Sequence, residues 1–122
     1  MKKILAFCIG VIALSSCYND KADQLYPSNG GCDTTTVKYA TDVQPILQSK
    51  CATSGCHDAA TKASGYELST FAGVSATVNS GRLMGAIRQE SGYKAMPQGA
   101  SKLDECSINK ISRWINLGAQ NN

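Results

Sequence analysis

The chain has 122 residues, of which 43% are hydrophobic and 17% charged, with a formal net charge of +3. That length suits one domain with a modest core, and the low, scattered charge excludes a nucleic-acid surface built on a block of Lys and Arg. Six cysteines against a single histidine direct the search for function towards sulfur chemistry.

The chain begins as a secretory leader. Lys2 and Lys3 precede an apolar run from Ile4 to Leu14, which is shorter than the ~20 residues a membrane-spanning helix needs. The run ends in Leu14-Ser15-Ser16-Cys17. This resembles the lipobox of bacterial lipoproteins, in which the cysteine is lipidated and becomes the new N-terminus. Residues 1–16 are thus expected to be a signal peptide and Cys17 a lipid anchor. Cleavage leaves 106 residues carrying ten Lys and Arg against nine Asp and Glu. Residues 17–31 are polar and end in Pro27-Ser28-Asn29-Gly30-Gly31, which suits a tether. A domain from 32 to 122 follows.

Thr34 to Tyr39 is an extended lead-in. Asp42 is placed to cap the first helix, with Pro45 in its first turn. Val43, Ile46 and Leu47 form one apolar face, and Cys51 continues it four residues later. Ser54-Gly55 marks a local loop, and Ala59 to Gly65 a second one. Ser69 or Thr70 can cap a short helix through Val74, with Phe71 and Val74 facing inward. Another short helix is expected from about Ser80 to Gln89, with Leu83, Met84 and Ile87 on its apolar side and Gly81 and Gly85 weakening it. Ser91 to Gly99 has no helical period and reads as a loop, in which Pro97 holds Met96 in extended backbone. The clearest element is the last. Asp104 or Ser107 caps an amphipathic helix carrying Ile108, Ile111, Trp114, Ile115 and Leu117, which Gly118 stops. Lys110 and Arg113 are expected on its solvent face, and the tail from Ala119 to Asn122 has no assigned role. All elements are helical, so the fold class is all-α.

The chemistry concentrates in Cys51-Ala52-Thr53-Ser54-Gly55-Cys56-His57. Two thiols beside an imidazole can fix a haem covalently and ligate its iron, for which Cys-x-x-Cys-His is the usual signal. Here four residues separate the cysteines. The same two cysteines could instead form a local disulfide. A tetrahedral zinc site is short of a fourth ligand, and an iron–sulfur cluster lacks the third cysteine of the plant-type spacing. Met96, on a loop beside a proline, suits an axial sulfur ligand, whereas Met84 on a helical apolar face suits core packing. Lys94 is a nitrogen alternative. Trp114 can pack in the core or offer its indole N–H to a haem propionate, and Arg82 can meet a propionate or simply face solvent. Cys32 and Cys106 are left over, and in an oxidising compartment two such thiols most simply form one disulfide.

With these features in order, the chain resembles bacterial c-type cytochromes, in particular single-haem lipoprotein cytochromes. The resemblance rests on Asp42-Val43-Gln44-Pro45-Ile46-Leu47 followed by Cys51, Cys56 and His57, then Met96-Pro97-Gln98-Gly99, then Trp114 with Gly118-Ala119. It implies a small cytochrome c-like helical domain around one haem c. Cys51 and Cys56 would be its thioether anchors, His57 the proximal iron ligand and Met96 the distal one. It further implies electron transfer between extracytoplasmic redox proteins rather than catalysis, with the domain held at a bilayer by Cys17 on the periplasmic side or the cell surface. Tyr18 and Asn19 after the lipid cysteine include no retention-type Asp, which leans towards the outer membrane where one exists. The competing expectation is a haem-free, disulfide-stabilised lipoprotein acting as a binding module.

Overall fold

A computed structural model describes residues 31–122; the leader, Cys17 and all but the last residue of the tether lie outside the described residues. Among them the regular structure is entirely helical. A π-helical turn, Tyr39–Val43, runs directly into α1, Gln44–Lys50. After the Cys51–Leu68 region, which holds a 3₁₀ turn at Ala63–Gly65, come α2, Phe71–Asn79, and α3, Arg82–Arg88. The last helix is α4, Glu105–Asn116.

The first helical stretch starts earlier than the Asp42 cap implied. Asp42 lies inside the π-helical turn and reaches back, its Oδ2 accepting the Lys38 backbone N–H at 3.0 Å. This satisfies an orphan donor of the helix start from within the helix. Pro45 falls in the first turn of α1, where its missing N–H costs little. Val43 and Leu47 are fully buried and Cys51 nearly so. Their i, i+4, i+8 spacing makes a single stripe, so α1 delivers the first thiol to the edge of the core.

Thr70 caps α2, accepting the Gly73 N–H through its hydroxyl. The helix continues five residues past Val74, and Thr77 in that added stretch is buried, its hydroxyl donating to the Gly73 carbonyl at 2.8 Å. Asp104 caps α4, accepting from the Ser107 N–H at 2.8 Å and from its hydroxyl. Ile108, Ile111 and Trp114 are buried on one face. Leu117 leaves that face, capping the helix at 44% exposed, and Gly118 continues at φ +96°. A left-handed residue here lets the chain leave the helix while its amide still bonds backwards.

α4 packs against the π-helical turn and against α3, and α2 packs on α3. The aromatic centre joins three of these pieces. Tyr39 lies edge-on to Phe71 at 5.0 Å and tilted against Trp114 at 5.4 Å. Such pairs contribute about 0.5–1.5 kcal/mol each beyond area burial. The tail does have a role. The Gln120 carbonyl accepts the Trp114 indole N–H at 2.8 Å, and Asn122 accepts the N–H groups of Tyr39 and Ala40. The C-terminal residues thus cover the aromatic centre. Lys110 is not free on the solvent face either: it pairs with Asp42 at 3.2 Å, linking α4 to the first turn.

Cys32 and Cys106 are joined, with Cα atoms 5.6 Å apart, tying the lead-in to α4 across 74 residues of sequence. On the chain-entropy account a loop of that size is worth about 4 kcal/mol. The double substitution Cys32→Ser, Cys106→Ser is therefore expected to lower the unfolding free energy by roughly that amount. Denaturant unfolding checks it, and an unchanged midpoint would contradict it.

Candidate functional site

Cys51, Cys56, His57 and Met96 all line one cleft of about 590 Å³. That volume lies in the usual range of ligand clefts, about 300–1,000 Å³. Four parts of the fold build it: the end of α1 with the loop after it, Thr77 of α2, α3, and the loop between α3 and α4.

Cys51 follows the last turn of α1, its N–H bonded to the Leu47 carbonyl. The four residues between the cysteines fold into turns, with the Cys56 N–H on the Thr53 carbonyl at 3.0 Å and Gly55 left-handed at φ +81°. The His57 N–H then donates to the Cys51 carbonyl at 3.1 Å. The extra length is thus absorbed locally, and His57 is returned to the end of α1. Neither thiol is bonded to the other; both are free, Cys51 buried and Cys56 exposed. Burial, with the neighbouring Cys56 thiol adding to it, pushes the Cys51 pKa up to about 11.

His57 is half-buried and held from two sides. Its backbone carbonyl accepts the Leu68 N–H at 2.8 Å, and its ring Nδ1 lies 3.0 Å from the Tyr66 carbonyl. A carbonyl oxygen only accepts, so Nδ1 carries the proton in this contact, which leaves Nε2 as the nitrogen free to ligate a metal. This is the outer-shell contact that metal-ligating histidines commonly make. The loop that provides it is bent to do so. Lys62 and Ser64 adopt left-handed angles, φ 45° and 55°, a conformation costing non-glycine residues of order 1–2 kcal/mol. In return the Ala63 N–H reaches the Cys56 carbonyl at 2.9 Å, and the Tyr66 carbonyl reaches the ring.

Asp58 anchors the same loop. Its carboxylate accepts the N–H groups of Gly55, Ala60 and Thr61. These bonds, that from Thr61 first, hold its pKa below the usual carboxylate value. Sequence reading passed over Asp58. An Asp directly after the motif histidine, with Thr61 three residues on, carries the signature of a side chain that closes the next turn.

The opposite wall carries Met96, half-buried, on the expected non-helical loop. Its N–H donates to the Ala86 carbonyl at 3.0 Å, at the end of α3. The Tyr93 ring lies over Gly85, so close that a Cβ there would sit 2.6 Å from ring atoms. The glycine that weakens α3 as a helix is what admits the loop bearing Met96. Met84 is half-buried against the core and is not among the cleft residues. Lys94 and Arg82 line the cleft; Trp114 does not, being 1% exposed with its N–H bonded to Gln120.

The donor set fits a haem. Two thiols, an imidazole with Nε2 available and a thioether surround one largely apolar cleft walled by Leu68, Leu83 and Ile87. A bare ion fits less well, because among the described residues no three His, Cys, Asp or Glu side chains converge. The cleft also contains no Asp or Glu to act as a general acid or base.

Two outcomes are expected of the chain before any group is attached. Iodoacetamide should label the exposed Cys56 first, whereas the buried Cys51, its pKa pushed up to about 11, becomes reactive only in strongly alkaline solution, because the thiolate is the nucleophile; peptide mass spectrometry reads both. Gly85→Ala, which forces the Tyr93 ring off α3 at a cost of about 1–3 kcal/mol, should speed hydrogen exchange of the Met96 amide while the α4 amides keep their protection. Compared with known proteins, the chain matches no family model, no curated protein and no solved structure.

Proposed function

We propose that the chain is a lipid-anchored, single-haem electron carrier with a cytochrome c-like domain, working outside the cytoplasm between other redox proteins. The observation that carries this reading is the state of His57. Its ring is clamped by the Tyr66 carbonyl through Nδ1, in a cleft that also takes Cys51, Cys56 and Met96.

Haem, when bound, supplies a one-electron iron couple. The chain supplies the rest. Cys51 and Cys56 would hold the porphyrin as thioethers, and His57 through Nε2 and Met96 through its sulfur would ligate the iron. Met/His ligation would raise the reduction potential relative to a second nitrogen ligand and would leave the iron to electron exchange rather than substrate binding. Leu68, Leu83 and Ile87 exclude water from the cleft floor, which favours outer-sphere electron exchange over oxygen chemistry. The Cys32–Cys106 bond suits an oxidising compartment, in line with a leader and a lipidated Cys17. The redox partners would meet the domain at the open side of the cleft.

In a host able to mature c-type haem, the peptide spanning Cys51 to His57 should gain the mass of one haem and the protein should be coloured. Met96→Ala should keep the haem, lose the sulfur-to-iron absorption band and lower the reduction potential. A colourless protein with Cys51 and Cys56 oxidised to each other would overturn the proposal in favour of a haem-free binding module.

A further inference from the structure

The charges around the cleft are not distributed as they are elsewhere. Lys62, Arg88, Lys102 and Lys110 each sit against a carboxylate. Lys38, Lys50, Arg82, Lys94 and Arg113 have no carboxylate partner among the described residues. Three of these five, Lys50, Arg82 and Lys94, line the cleft, and no Asp or Glu joins them there.

They arrive from three separate elements. Lys50 ends α1, Arg82 begins α3 and Lys94 sits two residues before Met96. Local helix energetics accounts for Lys50, in the last turn of α1, but not for the other two: a cation in the first turn of α3 opposes the helix dipole, and Lys94 is on a loop. Like charges gathered at one apolar cleft without a counter-charge repel one another, more strongly where the wall excludes water. An anionic ligand removes that repulsion, and an apolar plate with two carboxylates suits both the floor and the rim.

We infer that Lys50, Arg82 and Lys94 form a carboxylate-binding rim that takes the two propionate groups of the porphyrin. The inference rests on the haem reading above and names the residues that orient and neutralise the group within the cleft. Of the two readings open for Arg82, it takes the rim over a purely solvated position. Trp114, the other side chain with a donor for that role, is excluded because its N–H is already bonded to Gln120.

The test uses the full, haem-loaded chain. Lys50→Gln, Arg82→Gln and Lys94→Gln are made singly and together, with Lys38→Gln and Arg113→Gln as unpaired cations outside the cleft. The reduction potential is measured across pH. Cations beside a carboxylate favour its ionised form, so their removal raises the propionate pKa. In the triple variant the bend in the potential-against-pH curve should move up by about 1 pH unit. The ferric-to-ferrous ratio at fixed applied potential should rise about tenfold, equivalent to about 59 mV for a one-electron couple. The single variants should each show part of this shift and the two controls none. Haem-loaded cleft variants that behave like the controls would overturn the rim while leaving the electron carrier intact. A wild-type chain that matures without haem would remove both.

Discussion

The contact between the His57 ring and the Tyr66 carbonyl is the point on which the site turns. It fixes the tautomer, and with it which nitrogen faces the cleft. A free imidazole on a flexible loop would lose side-chain entropy on ligating a metal, whereas this ring is already oriented. The surrounding bonds serve that orientation. Asp58 gathers three backbone amides, the His57 N–H returns to Cys51, and the Leu68 N–H closes on His57. Strained angles at Lys62 and Ser64 are tolerated because the chain must double back sharply to place one carbonyl beside one ring.

The opposite wall is built by a different device, close packing. Met96 is not gripped by its side chain; its backbone is tied to Ala86, and its loop lies against α3 because Gly85 leaves room for Tyr93. One wall therefore depends on directional hydrogen bonds and the other on the absence of a methyl group. The two walls meet only because the core holds α1 and α3 in place. That core is thin, with the Tyr39, Phe71 and Trp114 rings at its centre, covered by the tail and crossed by the Cys32–Cys106 bond. A flat apolar ligand in the cleft would add to it the buried surface that a domain of this size has difficulty supplying.

Charge pairing distinguishes the cations that line the cleft from most of the others. Lys110 joins Asp42, Lys62 joins Glu67, and none of these four residues lines the cleft. The cations facing the cleft have no carboxylate partner among the described residues. Exposed ion pairs contribute little to stability, so the contrast concerns what the cleft can receive more than how firmly the domain is folded.

Local pattern determined a good deal here. The all-α class, the apolar stripes of α1 and α4 and the loop character around Met96 follow from residue spacing, which acts over a few positions; capping chemistry narrowed the helix starts to Ser69 or Thr70 and to Asp104 or Ser107, and the structure uses Thr70 and Asp104. The four candidate haem-binding residues stood out because their side chains carry rare chemistry. Tertiary structure alone decided what depends on neighbours far apart in the chain. Phe71 and Val74 marked the face of α2, but beyond Val74 the buried position is taken by Thr77, a polar residue that gives no apolar signal. Lys110 read as a solvent residue until Asp42, remote in sequence, came beside it, and the tail acquired a role only once Trp114 needed an acceptor. Gly85 looked like a flaw in a helix because no local rule anticipates a tyrosine ring from the following loop. The gathering of Lys50, Arg82 and Lys94 was equally hidden, since three single cations on separate elements form no motif until the backbone closes around the cleft.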